Sequence, residues 1–399
     1  MPVFAQGTLR RLTFVSAILA LVYGVVLVMG FGQPEGWLIG EHGAPRAIEF
    51  TGVRAAGELA FEGRAVSAYN WHIHHGRQDV ITGAPGAPYN PWGYPPHFLL
   101  VAALLAILPY TPSALLWLGV TLAGYAVVAR RIIGVRAAAL WVAALPSSFI
   151  NIMVAHTGFL TGGLFGGALL ELPTRPVLAG CLFGVMSIKP QLGLLIPVAL
   201  TAGGHWRAMF TGIATTVLTM ALSIAIFGIE PWIELGPQLG RVAATIRAQH
   251  VDMTMLVTFY GFVRTLGCSD DAAIVIQAIV SLMLAAVIFR LWRSGASHDL
   301  KAAALISASL LATPYLFVYD LTLLAFVAAF LWRHAGAGGL TQWELASFGA
   351  AILLLMAFAS LPVSAGFLAN VVIGVVTLNR AWPYVAPRAA NRLTINSTI

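Results

Sequence analysis

The sequence is short of charge: 9% of its 399 residues are Asp, Glu, Lys or Arg, against 59% hydrophobic. With a mean hydropathy of +0.85, this excludes an ordinary soluble domain and puts the chain in the integral-membrane class. Lysine is nearly absent, with Lys189 and Lys301 alone in the whole chain. The two cysteines, Cys181 and Cys268, match neither a disulfide framework nor a zinc spacing. No Walker, Rossmann or Ser-His-Asp pattern occurs, so nothing points to nucleotide chemistry or a serine hydrolase. No internal repeat of roughly 20–50 residues is visible, which argues against a solenoid. Carboxylates number 15, and eleven of them fall in two polar stretches, residues 35–79 and 230–271. Water, substrate and acid–base chemistry are expected to meet there.

What remains is apolar. Runs at 12–31, 95–109, 113–131, 136–154, 157–171, 176–203, 208–228, 272–292, 301–313, 316–332, 343–361 and 364–378 reach or approach the ~20 residues that cross a bilayer core. Several are shorter, which predicts tilted or re-entrant helices. The first follows Arg10-Arg11 and continues into Gly32-Gln33-Pro34 without a small-residue cleavage site, so it reads as a retained signal-anchor. The net charge of +7 would suggest nucleic acid in a soluble protein. Here the arginines cluster at the ends of apolar runs, and the positive-inside rule accounts for them.

The expected fold is an all-α polytopic membrane bundle of about 12 crossings with both termini cytoplasmic. It forms one membrane domain over residues 1–379, outer loops at 32–94 and 229–271, and a short, disordered cytoplasmic tail at 380–399. Arg207, Arg290, Arg293, Arg333, Arg380, Arg388 and Arg392 agree with that count, whereas Arg130, Arg131, Arg136 and Arg175 fall on the wrong side. Breaking 176–203 at Pro190 and making 95–109 re-entrant returns all four to the cytoplasm. Both solutions leave the two loops outside.

Residues 47–63 predict a helix ending at Gly63. Arg54, Glu58 and Glu62 share one face at ion-pair spacing, while Phe50, Val53, Gly57 and Phe61 form a greasy face suited to the membrane surface. Glu49 points elsewhere, over Val53, Ala56 and Ala60. A carboxylate there is partly desolvated, as a general base requires, or it simply complements the helix dipole. The run Tyr69-Asn70-Trp71-His72-Ile73-His74-His75 reads as a solvated or interfacial histidine cluster rather than a metal site. Residues 83–96 are too rich in Pro and Gly for a helix. Their Tyr89, Trp92 and Tyr94 form either a platform for sugar rings or an interfacial aromatic belt.

Lys189 lies inside an apolar run beside Pro190. A cation there marks a functional site or a paired charge, or it snorkels to an interface. Beside a broken helix it could hold a phosphate as a point charge. Asp320 either orients a polar group or ends a helix, and His156 either caps a short helix or lines a cavity. The second outer loop carries Glu230, Glu234, Arg241, Arg247, His250, Asp252 and Arg264 in no spacing that assigns it a role.

Four elements in order carry a resemblance. They are Glu49-Phe50 with Ala55-Ala56-Gly57-x-Leu59-Ala60-x-x-Gly63 and Tyr69; Tyr94-Pro95-Pro96-His97-Phe98; His156-x-Gly158-Phe159-Leu160, Ala179-Gly180 and Phe183-Gly184, leading into Ser187-Ile188-Lys189-Pro190-Gln191; and Pro314-Tyr315 with Tyr319-Asp320. Over roughly residues 10–335 the chain resembles the bacterial integral-membrane glycosyltransferases of family 87, which are similar to polyprenol-phosphate-mannose-dependent α-mannosyltransferases. The resemblance implies a GT-C architecture, with an acidic base in the first outer loop beside short interfacial helices. It implies a polyprenyl-phosphate sugar donor, a lipid-linked or cell-envelope glycan acceptor, and a plasma-membrane enzyme working at the outer face without a cofactor. Glu49 becomes the catalytic base, Lys189 and Gln191 bind the donor phosphate, and Tyr94, His97, His156, Tyr319 and Asp320 line the substrate site. No metal and no nucleic acid are expected. The family pattern has Asp-Phe where this chain has Glu49-Phe50, and Tyr-Asp where it has Tyr69-Asn70. A secondary transporter or lipid flippase is the rival reading, since it too would use an intramembrane lysine and broken helices. A catalytically inactive membrane scaffold is the third.

Overall fold

The computed structural model describes residues 6–31, 47–83, 85–86 and 89–386. Residues 32–46 of the first outer loop, the Gly32-Gln33-Pro34 stop of the first run, and Arg388 and Arg392 lie outside the described residues. Among the described residues there is no strand, only an isolated antiparallel bridge between Leu256 and Phe317.

Among the described residues six helices are long and apolar enough to cross a membrane, fewer than the twelve crossings expected from the apolar runs. The rest of the apolar sequence folds into short helices that turn back. Helix α1 (Gln6–Phe31) stands at the edge of the bundle. Helices α2 (Ile48–Phe61), α3 (Trp71–Thr82) and α4 (Leu99–Leu105) precede the full-length α5 (Tyr110–Ile133). Then α6 (Ala138–Ala143) and α7 (Pro146–Val154) rise beside α1, as Trp141 on Thr13 and Tyr23 stacked on Phe149 require. Helix α8 (Gly158–Glu171) returns parallel to α5, Gly163 facing Tyr125 and Gly167 facing Val128.

The lysine-bearing run forms a second hairpin. Helix α9 (Pro176–Val185) ends in two 3₁₀ turns, Met186–Ile188 and Pro190–Gly193, and α10 (Ile196–Ala202) comes back. Proline removes an N–H and clashes one turn upstream, so the helix cannot run on through Lys189. Helix α11 (Trp206–Phe227) then runs parallel to α9, with Gly180 against Ala208 and Thr211 and Gly184 against Thr215. Residues 176–203 therefore go in and out from one end.

Helices α12 (Glu230–Arg247) and α13 (Phe259–Thr265) form the second loop, and α14 (Asp270–Arg293) crosses back. A third hairpin follows: α15 (His298–Leu311), an irregular segment with a 3₁₀ turn at Val318–Leu323, then α16 (Leu324–Ala335). Arg333 pairs with Asp299, and Ser297 bonds His334, closing its base. Helices α17 (Gln342–Met356) and α18 (Ala365–Val385) complete the chain. Helix α18 carries Arg380 onto Glu344 at 2.5 Å, so the tail expected from residue 380 is helical as far as Val385.

The hairpins place the dissenting arginines. Arg131 lies 2.5 Å and Arg175 3.7 Å from the buried Glu171. His298 bonds the Leu169 carbonyl at 2.7 Å, and Trp292 packs on both His205 and His298. The ends of α5, α8, α14 and α16 and the starts of α9, α11 and α15 thus gather at one end, with their arginines. Helices α2, α3, α12 and α13 lie at the other.

The helix expected over 47–63 forms, and Gly63 follows it at φ 76. Arg54 bonds Glu58 at 2.7 Å, and Arg77 of α3 joins Glu58 and Glu62 at 3.2 and 2.6 Å. The greasy face is not on a membrane surface. Phe50 and Val53 are buried, and the Gly57 backbone lies against that of Ala102, where no side chain would fit. Of the four, Phe61 stays exposed. Helix α2 is a packed wall, held down by Arg54 on the carbonyls of Leu105 and Leu108.

Candidate active site

The tips of the three hairpins meet beneath α2. An α-helix rises 1.5 Å per residue, which puts α8's start roughly 20 Å from the arginine end. The first tip is formed as α7 ends at Ala155, a non-glycine residue at φ 51, in the left-handed region. Such a residue costs of order 1–3 kcal/mol and persists where its surroundings fix it. Here Trp117 Nε1 bonds the Ala155 carbonyl at 3.2 Å, and Asn151 Oδ1 accepts from Gly158 N–H at 3.0 Å. His156 follows directly and is buried.

The imidazole of His156 is the hub. Its Nε2 lies 3.2 Å from Tyr94 Oη, 3.5 Å from Lys189 Nζ and 3.9 Å from Glu49 Oε2. Its ring stacks on Tyr319, centroids 3.7 Å apart. Lysine offers only donors, so Nε2 presents its lone pair and the ring proton sits on Nδ1. Thr157 Oγ1 is 3.5 Å from that nitrogen.

Lys189, at the second tip, is 7% exposed and pairs with Asp320 of the third tip at 2.5 Å. It does not snorkel. Asp320 is fully buried, and its other oxygen accepts from Phe317 N–H at 3.3 Å. The second outer loop, unassigned from sequence, braces this tip: Val257 N–H bonds the Leu316 carbonyl at 2.9 Å, and Thr258 Oγ1 the Pro314 carbonyl at 2.8 Å. Leu256 in turn is held by Ser364 of α18 at 2.6 Å.

Glu49 looks down onto this cluster from α2. Asn90 Nδ2 donates to its Oε2 at 3.1 Å. Asn90 is itself clamped, its carbonyl and N–H bonded by the two ends of the Gln78 amide at 2.7 and 3.2 Å. Burial raises the Glu49 carboxyl above the usual carboxylate range; hydrogen bonds from Asn90 and Tyr319 and the charge of Lys189 oppose that rise without cancelling it. An acid so placed holds a proton more tightly than one in water, as a base needs.

Five candidates, Glu49, Tyr94, His156, Lys189 and Asp320, thus touch one another in a chain, with Tyr319 stacked on it. Two do not join. His97 bonds Ser187 at 3.2 Å and stacks on Trp232 instead, and no hydrogen bond links Gln191 to the cluster. The aromatic trio divides: Trp92 and Tyr94 touch, ring centroids 5.1 Å apart, and both pack on Phe98, with Tyr94 Oη reaching His156, while Tyr89 packs on Trp71. The histidines of α3 do not converge either. His74 is buried, with Gly52 and Tyr89 at its two nitrogens, and burial lowers it to about 4. His72 is exposed, and Asn70 caps α3 through Ile73 N–H.

Sequence reasoning missed Asn90, Asn151 and Thr157. Asn151 had a signal, as an amide within an apolar run. Asn90 had none beyond its place in a Pro/Gly stretch.

The fold is thus an apolar helical bundle, a membrane protein by its helices, that gathers a buried carboxylate, an imidazole and an ion pair at one place. The family model for glycosyltransferase family 87 matches residues 92–314, more than half of the chain. The chain belongs to glycosyltransferase family 87 and is a membrane glycosyltransferase. Tyr94, His97, His156, Lys189 and Gln191 lie within the matched region, and Glu49, Tyr319 and Asp320 outside it. Comparisons with curated proteins and with solved structures find no match.

Proposed function

We propose that this glycosyltransferase moves a sugar, mannose in the first instance, from a polyprenyl phosphate to a hydroxyl of a lipid-linked or cell-envelope glycan. Glu49 takes the acceptor proton as that oxygen attacks the anomeric carbon. The bond from that carbon to the phosphate oxygen breaks, and its electrons leave with the polyprenyl phosphate. Lys189, or an arginine of the outer loops, offsets the charge on the leaving phosphate. No nucleotide is required, because the lipid phosphate delivers the activated sugar. The observation that carries this reading is Glu49: a carboxylate desolvated by burial, held by Asn90, and aimed at a buried lysine at the meeting of three hairpins.

The arginine end faces the cytoplasm in this reading, which puts Glu49 toward the outer face of the plasma membrane. Cysteines replacing Arg131, Arg175 and Arg207 are expected to share one accessibility in intact cells, all protected from an impermeant thiol reagent. Labelling of Arg175→Cys alone would refute the hairpin reading of residues 176–203.

The transfer itself is tested with radiolabelled polyprenyl-phosphate-mannose, purified protein and a native lipid extract. Label is expected in an extractable glycolipid, undiminished by EDTA. Failure across several polyprenyl-phosphate sugars, together with solute movement in proteoliposomes, would favour a transporter.

A further inference from the structure

Two carboxylates compete for one ammonium in the buried cluster. Asp320 holds Lys189 at 2.5 Å. Glu49 stands across a single imidazole from it, since His156 Nε2 is 3.5 Å from Lys189 Nζ and 3.9 Å from Glu49 Oε2. The partition is built into the backbone. Lys189 sits in the turn between two 3₁₀ segments, fixed by Pro190, and Asp320 is anchored by Phe317 N–H and braced from outside by residues 256–258. The groups facing Glu49 are Asn90 from the first loop, Tyr94 before α4, His156 at the first tip, Lys189 at the second, and Tyr319 and Asp320 at the third. Of these, Lys189 and Asp320 form the ion pair. The first favours an ionised Glu49 and the second opposes it, the lysine acting more strongly.

We infer that Asp320 is a positioning residue that keeps Lys189 from pairing with Glu49, and so leaves Glu49 basic enough to take the acceptor proton. With Asp320 neutral, the lysine turns across His156 to Glu49, and the carboxylate is stabilised as an ion-pair partner. A stabilised carboxylate is a weaker base, and transfer slows by Brønsted behaviour. A plain structural ion pair makes a different prediction: its loss costs stability, and Glu49 titrates lower only by the weak direct effect of the lost Asp320 charge, well short of the fall produced by an ammonium that comes to pair with it.

This inference rests on the reading of Glu49 as the base, so its test reads Glu49 directly as well as through activity. The carboxylic C=O infrared band of Glu49 is isolated as the difference between each protein and its Glu49→Gln counterpart, and titrated in full-length reconstituted protein without donor. The acid limb of transfer from polyprenyl-phosphate-mannose is followed in parallel. In Asp320→Asn both midpoints are expected to fall by about one pH unit or more, as for an acid that gains an adjacent cation. In the double variant Lys189→Met with Asp320→Asn, both should rise, because the lysine's stronger influence is lost along with that of Asp320. The double variant removes both charges, which protein interiors tolerate better than an unpaired one, so it decides the matter if Asp320→Asn does not fold. An Asp320→Asn midpoint that falls by less than about half a pH unit, or a double-variant midpoint that does not rise, overturns the inference. Wild-type transfer by Glu49→Gln would defeat the general-base reading instead, with the infrared midpoints still reporting the coupling.

Discussion

Replacing Glu49 by glutamine is expected to lower kcat by about 10²–10⁴-fold, the usual contribution of one positioned general base. Glutamine keeps the shape and the acceptor oxygen for Asn90, so donor binding should change little and KM should stay near its wild-type value. Stability should move the other way. The folded protein binds the Glu49 proton more tightly than the unfolded chain does, because burial raises its affinity. The Glu49 contribution to stability therefore falls as pH rises from the ordinary carboxylate range, about 4.3, through the raised folded value, and is constant above it. Glutamine carries no such charge, so at neutral pH the variant should unfold at a temperature no lower than wild type. Loss of activity with loss of stability would mean that the side chain is a structural member, and an unchanged kcat would remove it from the chemistry.

The second large effect is expected from Gly158→Ala, a change of one methyl group on a residue with no reactive side chain. A Cβ there would stand 2.5 Å from Asn151 Oδ1 and 2.7 Å from the Tyr319 carbonyl oxygen. Neither neighbour can retreat easily. Asn151 Oδ1 is bonded to the Gly158 N–H itself, and Tyr319 is followed by Asp320, held on Lys189. The first and third hairpin tips must then separate, which pulls Tyr319 from its stack on His156. A misplacement of about 1 Å costs on the order of 10²-fold in rate, and overpacking costs about 1–3 kcal/mol. Transfer rates measured on protein that still unfolds cooperatively check this, and a rate within threefold or so of wild type would mean that the stack has no part in catalysis.

Much of the local architecture was legible in the chain. The 3.6-residue period placed α2 and its ion-pair row, and Pro190 marked the break beside Lys189. Return paths were not legible. A run of apolar residues reads the same whether it crosses the bilayer or turns back at mid-depth, since both environments reward the same side chains. The positive-inside count was the one signal of trouble: four arginines on the wrong side were the imprint of a 95–109 segment that stays beside α2 and of the hairpin at 176–203. Within the site, residue types such as a lone intramembrane lysine announced themselves. Their partners did not, because Lys189 meets Asp320 across 131 positions, and no periodicity encodes such a distance. The face of α2 was misjudged for a related reason, as an apolar stripe does not say whether lipid or protein will cover it.

The three hairpins also divide the molecule's vulnerability. Their bases are tied by Glu171 to Arg131 and Arg175 and by Asp299 to Arg333, and Glu344 ties α17 to Arg380 of α18 at the same end. Their tips hold His156, Lys189 and Asp320. Substitutions at the bases act during biogenesis, through insertion, orientation and the amount of enzyme that reaches the membrane. Side-chain exchanges that keep the packing, at the tips or facing them from α2 as Glu49→Gln does, are expected to leave that amount intact and alter each molecule's turnover. Two variants with the same loss of glycosyl transfer in cells could therefore be told apart by a count of protein per cell, before any assay of chemistry.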